Sequence, residues 1–440
     1  MRRFSSVVLV ACLFLTACGD DEGFTSAPIP AGNLTFINAI PDTPDVSIET
    51  NNPRLGSIGF GQSIPNTRSL PQIPLDYRVT FFDQGVEQDV VSGQVTIEID
   101  FSHTFVLTGS FAAPVVTEII DAPFEYPQGS TETRIRFMNA TSGIASATAT
   151  LTNPNGGSDT VVMTREQPTG FTTTSSGEGV QLEVTDTATG DLIWRSGNFI
   201  LSPGADRFFM LFDYFGPGDQ TARMASINDP SLTTLFLNEE LPSGIRVANY
   251  TADRGPLDFY VGDNLIATLG YNEVSETVEI DPGTATVTVT PSGDRDTELN
   301  SVDRQFFAGI FNTLYVTGLT EGGVGTGLFA ENRQRVAVSA RLSITKLAQA
   351  VGNVDLYFQD AGEALAGAAD LNQVTDFTTA ALPVVPQAYD FYVTEAGTTN
   401  ILTGPVTLNL EANGLYSLVI SESEGGGEPL QVSLFDDFAD

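Results

Sequence analysis

The sequence predicts an all-β fold of tandem antiparallel β-sandwiches, and three observations predict it. Thr, Val, Ile and Phe recur at a spacing of two in short runs. The 42 Gly and 24 Pro punctuate those runs as turn residues do. Sustained helical periodicity is nearly absent, with Gly362 to Asp370 the best candidate for a turn or two of helix. A length of 440 residues and an apolar fraction of 41% fit several folded domains rather than an acidic disordered chain.

The N-terminus comes first. Arg2 and Arg3 precede the apolar run Val7 to Leu15, too short to span a bilayer and suited to a signal-peptide core. Leu15-Thr16-Ala17-Cys18 follows, then Gly19-Asp20-Asp21-Glu22. This resembles the bacterial lipoprotein signal, with Cys18 at the lipidated position; Cys12 would leave with the signal. The resemblance implies a mature chain starting at Cys18 and held to a membrane by more than one acyl chain, which makes attachment persistent. Gly19 after the cysteine favours an outer-membrane address by enterobacterial analogy. Residues 1–17 are then the signal and 18–32 a polar tether containing Pro28 and Pro30.

Beyond the tether the chain repeats. Leu34-Thr35-Phe36-Ile37-Asn38-Ala39 is echoed by Ile135-Arg136-Phe137-Met138-Asn139-Ala140, by Ile245-Arg246-Val247-Ala248-Asn249-Tyr250, and weakly by Leu342-Ser343-Ile344-Thr345-Lys346. Offsets of roughly 100 residues are domain-sized, too long for a solenoid. The boundaries are set at 33–126, 127–236 (diverged), 237–334 and 335–440.

A second strand follows each opening strand. Val46 and Ile48 oppose Asp45 and Ser47; Leu257, Phe259 and Val261 oppose Asp258 and Tyr260; Val354, Leu356 and Phe358 oppose Asp355 and Tyr357. In the second copy Ala147, Ala149 and Leu151 are the apolar side. Alternation with one polar face predicts half-buried strands, and makes Tyr260 and Tyr357 candidates for a shared exposed aromatic, with cross-strand packing the commoner place for a tyrosine. Later strands align as well, such as Thr104 to Gly109 with Thr313 to Gly318. Six to eight strands per unit suit an immunoglobulin-like sandwich, without the Cys…Trp…Cys hallmark.

The Asn-Ala strand end, the turn Ile40-Pro41-Asp42-Thr43-Pro44-Asp45 and the Val-Asp-x-Tyr-like strand together resemble the domain of unknown function 4397. That resemblance implies tandem domains of a secreted or cell-surface bacterial protein, and brings no catalytic residues with it.

The charge narrows the partners. With 19 Lys+Arg against 55 Asp+Glu, the formal charge of −36 excludes nucleic-acid binding, which rests on cationic contacts. It also implies self-repulsion that salt would screen. One His and two Cys leave no zinc cluster and no disulfide framework.

No catalytic residue is assigned. His103 is the sole imidazole, and without a Gly-x-Ser-x-Gly elbow it reads as a polar residue near a turn. Trp194 reads as packing. Calcium is the one cofactor weighed, with Asp42, Asp45, Asp294 and Asp296 as weak candidates and Asp436, Asp437 and Asp440 as a third cluster; none matches a twelve-residue calcium loop. Asn38, Asn139 and Asn249 read as strand-end hydrogen bonders.

The expectation is a non-enzymatic, lipid-anchored envelope protein, a rod or bent chain of sandwiches serving adhesion, glycan or protein binding, or scaffolding. A carboxylate-dependent polysaccharide hydrolase and a passive spacer are the alternatives. The binding residues, the partner and the oligomeric state stay open.

Overall fold

A computed structural model describes residues 32–437 apart from 52–53, 71–73, 84–85, 155–156, 229–231 and 237–240. The lipoprotein signal, Cys18, the tether up to Ala31 and Asp440 lie outside the described residues. Among the described residues there is no helix, and 362–370 is a run of turns and bends, not the helical turn expected there. Its Gly362 amide donates to Asp390 Oδ2 at 2.8 Å, one of the local bonds holding it as a turn.

The strands form four sandwiches, each of two facing sheets. The opening strands are Gly32–Asn38, Glu132–Asn139, Ser243–Tyr250 and Ala340–Lys346. Each lies inside its sheet beside a late strand: Ser102–Ser110, Asp206–Asp213, Phe311–Thr317 and Leu415–Ser421. All four of these pairings are parallel. The other ladders are antiparallel, so the sandwiches are antiparallel-rich with one parallel seam each. A parallel pair needs a long crossover, and here the intervening chain builds the opposite sheet. In the first sandwich that sheet runs Gly56–Ile58, Val46–Thr50, Pro74–Asp83, Val86–Thr96.

Each pair of sheets encloses a core. Leu34, Phe36, Val79 and Phe105 belong to the first, and Phe137, Trp194 and Phe209 to the second. Val247, Phe259 and Phe306 belong to the third, and Leu342, Leu356 and Phe391 to the fourth.

The opening strands are buried on both faces. Leu34 and Phe36 point into the first core, while Ile37 and Ala39 point out of it into a further cluster with Met138, Ala140, Met210 and Phe212 of the second sandwich. Ala248, Tyr250 and Tyr315 of the third sandwich likewise meet Leu347 and Val419 of the fourth. The sandwiches therefore pack in two pairs, with their opening-strand sheets back to back. Apolar side chains on both faces of one strand make that packing favourable, since each face removes its own area from water.

An arginine crosses each pair. Arg136 of the second sandwich grips Asp121 of the first, with one contact at 2.9 Å. At the equivalent position Arg246 of the third reaches Asp437 beyond the last strand of the fourth at 2.7 Å, and also Glu331 at 2.7 Å.

The pairs are joined by a strap. Residues 332–339, between the third and fourth sandwiches, run across the first: the Gln334 amide donates to Pro41 O at 3.0 Å, Ala337 N–H donates to Asp42 O at 2.8 Å, and Val338 packs against the first core. The rod or bent chain expected from tandem repeats is replaced by this folded-back arrangement, because the outward sheet faces are apolar enough to bury one another.

Candidate functional site at the junction of three sandwiches

The strap and the paired packing leave a cavity of about 660 Å³ where the first, second and third sandwiches meet. The first contributes Asp42 and Ser110, from the turn after its opening strand and the end of its late strand. The second contributes Ser142, Asp213, Tyr214 and Phe215; the third contributes Phe311; and the strap adds Arg333 and Arg335. These segments are far apart in sequence, so the cavity exists only when the sandwiches assemble.

Aromatic rings form much of the wall. Phe215 rests on Phe60 of the first sandwich with ring centroids 5.7 Å apart, and Phe60 abuts Phe212 at 5.9 Å. The Arg333 guanidinium stacks over Phe311 at 3.7 Å. Tyr214 donates its hydroxyl to Pro217 O at 3.1 Å, and burial pushes that phenol well above its ordinary range. Gly216 has no side chain because a Cβ there would collide with the Tyr214 ring.

The charged groups of the wall are already engaged. Asp213 accepts from the Ser142 amide at 3.0 and 3.1 Å, and burial raises its carboxyl above the usual carboxylate range. Asp42 accepts from Phe111 N–H at 2.8 Å. Arg333 pairs with Glu331 at 2.9 Å and donates to Thr277 at 3.1 Å. Ser110 Oγ accepts from Ala113 N–H at 3.2 Å. Rings and the flat face of a guanidinium suit an apolar or ring-bearing ligand.

Most residues singled out from the sequence sit elsewhere. His103 is buried on its strand: Nε2 accepts from Glu98 N–H at 3.3 Å, so Nδ1 carries the proton that it shares with Glu118 at 2.8 Å. That fixes the ring as a cross-strand link. Trp194 is wholly buried in the second core. Tyr260 and Tyr357 are 9% and 7% exposed, so the shared exposed aromatic is not there; Arg295 covers Tyr260 at 4.4 Å.

The acids of the Val-Asp-x-Tyr-like strands are buried too. Asp258 accepts from Gly293 N–H at 2.9 Å, and Asp355 accepts from Gly397 N–H at 2.7 Å. Both glycines have positive φ, +79° and +73°, and end a hairpin between the same two strands of their sandwiches. The Asp of this motif therefore fastens a turn.

Among the described residues no group of three or more His, Cys, Asp or Glu side chains is placed to hold a metal. Asp42 lies on the junction cavity, while Asp45 lies on a different one. Asp294 and Asp296 are exposed on either side of Arg295, which bonds Asp263 instead at 2.8 Å. Asp437 is taken by Arg246.

Asn139 Oδ1 accepts from Thr141 N–H at 3.1 Å and its amide donates to Ile144 O at 2.8 Å. Asn249 does the same to Thr251 and to Leu269 O, each at 3.0 Å, and Asn38 Oδ1 accepts from Ile40 N–H at 3.1 Å.

Residues 243–357 match the family described as Domain of unknown function (DUF4397). The match runs from the opening strand of the third sandwich into the second strand of the fourth. No curated protein matches the chain. Among solved structures, the Bacillus anthracis TIE protein is similar at 11% identity, covering 87% of this chain and 66% of its own length, with a TM-score of 0.15. The Streptococcal ancillary pilin is similar at 8% identity, covering 63% of this chain and 95% of its own, with a TM-score of 0.14. The chain thus spans just under two thirds of the first of these.

Proposed function

We propose that this chain is a non-enzymatic component of a bacterial envelope, anchored by acyl chains on Cys18 and a tether over 18–32, which binds a glycan or protein partner through the junction cavity. The sandwiches over 33–126, 127–236 and 237–334 supply the walls, and the fourth, over 335–440, holds the strap in place. The observation that carries this reading is the ring-lined cavity itself. Three sandwiches build it, and the hydrogen bonds of Asp42, Asp213 and Arg333 hold its shape. Such a wall discriminates by fit and ring contact, which serves recognition.

The test is an array of envelope glycans and peptides probed with the full chain and with its Phe215→Ala and Phe311→Ala variants. Capture by one class of spot, lost in both variants while their melting temperatures hold, supports the reading. Capture of nothing, or capture that neither variant changes, overturns it. Protease shaving of intact cells carrying a C-terminal tag then separates a surface partner, if the tag is lost, from a periplasmic one, if it survives until lysis.

A further inference from the structure

A second cavity, of about 740 Å³, lies between the first and fourth sandwiches, closed on one side by the strap and on another by the edge strand Thr379–Val384. It brings together two arginines nearly 290 residues apart in sequence, Arg54 and Arg341. Arg54 is exposed at the mouth, where it donates to Ser47 Oγ and lies 5.7 Å above the ring of Phe82. Arg341 is half-buried, and its protein acceptor is a backbone carbonyl, Asn332 O, at 3.5 Å. Among the described residues neither arginine has a carboxylate within ion-pair distance. The Ser339 hydroxyl on the same wall is buried and bonded to nothing.

Arg78, Arg134, Arg136, Arg195, Arg246, Arg295 and Arg333 pair with carboxylates, whereas Arg165, Arg254 and Arg304 are held by backbone carbonyls. Arg54 and Arg341 differ from these in lining one cleft together. A guanidinium removed from water without its anion is costly, and so is an orphaned hydroxyl. Asp45 stands on the same wall, close enough to attract Arg341 but not to pair with it; burial holds that guanidinium below its ordinary range. An incoming oxyanion would meet two planar forks of donors, with the exposed ring of Phe82 for its apolar body.

We propose that this cleft is a binding site for a small ligand carrying an oxyanion, a carboxylate or sulfate-type group, on an apolar or ring-bearing body. It is separate from the junction cavity and does not depend on that cavity having a ligand. Its volume is that of ordinary small-molecule sites.

The test uses two fluorescent probes with one ring system: 8-anilinonaphthalene-1-sulfonate, which carries the oxyanion, and N-phenyl-1-naphthylamine, which lacks it. Titrated into the full chain, the sulfonate should bind at least about 10-fold more tightly than the neutral dye, and Arg54→Gln or Arg341→Gln should each remove most of that preference. Arg54 is at the surface, so Arg54→Gln keeps the test intact even if Arg341→Gln does not fold. Phe215→Ala, on the junction cavity, should leave the preference for the sulfonate over the neutral dye unchanged, whatever it does to the binding of both. Equal affinity for the two dyes, no binding of the sulfonate, or a preference abolished by Phe215→Ala and untouched by Arg54→Gln each overturns the inference.

Discussion

The backbone amide of Phe377 donates to the carbonyl of Lys346 at 2.9 Å, and Phe377 does so from the left-handed region, at φ +53°. The same bond recurs in every sandwich. Gly61 donates to Asn38 O, Glu166 to Asn139 O and Asn272 to Asn249 O, all at 2.7 Å, with φ of +76°, +63° and +61°. Lys346 thus holds the strand-end position that asparagine holds in the other three. It is also the chain's single lysine, and it is fully buried.

Its ammonium repeats and extends the asparagine's work. It donates to Ala348 O at 2.5 Å and Val351 O at 3.4 Å and pairs with Asp376. Val351 is five residues on, as Ile144 is from Asn139. Lys346→Met should cost about 2–4 kcal/mol, because it orphans two buried carbonyls; Asp376 is exposed enough to turn to water. Lys346→Asn should cost distinctly less, since an amide at this position has a partner of the same spacing in the second sandwich. Urea midpoints of the two variants check the order, and equal losses would contradict it.

Arg246 lies between two mostly buried carboxylates, Glu331 and Asp437, whose side chains are 14% and 11% exposed. Arg246→Leu should destabilise the third and fourth sandwiches by about 3–5 kcal/mol at neutral pH, since it leaves Asp437 without its cation and Glu331 with Arg333 alone. Burial already raises the Asp437 carboxyl, and without Arg246 it would protonate more readily still, so the deficit should shrink as pH falls toward 4. Denaturation at pH 7 and pH 4.5 measures it, and a deficit that does not change with pH would contradict the account.

Tyr250 is wholly buried and its hydroxyl has no partner, so burial raises its phenol well above 10.0. Tyr250→Phe should therefore be neutral or stabilising, by up to about 1 kcal/mol. The sign of its pH dependence follows. The folded state holds this proton more tightly than the unfolded state does, so the contribution is complete below pH 10 and is lost as pH rises above it. Each such phenol steepens that fall by at most about 1.4 kcal/mol per pH unit. Stability between pH 9 and 11.5 should fall less steeply in Tyr250→Phe than in the parent chain.

Salt should stabilise the protein. At a formal charge of −36, repulsion between exposed carboxylates is screened as the Debye length shrinks from about 30 Å at 0.01 M to about 10 Å at 0.1 M. The melting temperature should rise by several degrees between 10 and 500 mM sodium chloride. A flat or falling curve would mean that the sandwiches absorb their charge locally.

The strands were legible because alternation reports burial directly: the apolar sides of Val46, Ile48, Leu257, Phe259, Val354 and Leu356 are core sides. What alternation could not show is what covers the other side. Asp258, Tyr260, Asp355 and Tyr357 look solvent-facing in sequence, yet a hairpin turn or a stacked arginine closes over each acid and over Tyr260. The opening strands did carry a signal for double burial, since Phe36-Ile37 and Phe137-Met138 set apolar residues side by side where a half-buried strand would alternate. The cavities had none. Their walls place Asp42 and Arg333 on one cavity and Arg54 and Arg341 on another, which is set by how finished sandwiches stack and not by any local pattern.

The strap bears on the order in which the molecule can be completed. Gln334 finds its acceptor, Pro41, 293 positions earlier in the chain. A ribosome delivers the first sandwich long before the segment that must lie across it, so the early half stands with its docking turn uncovered until the strap and the fourth sandwich arrive. Closure of the whole is then a single late event, and a chain cut short before residue 332 would retain the early sandwiches but could close neither cavity.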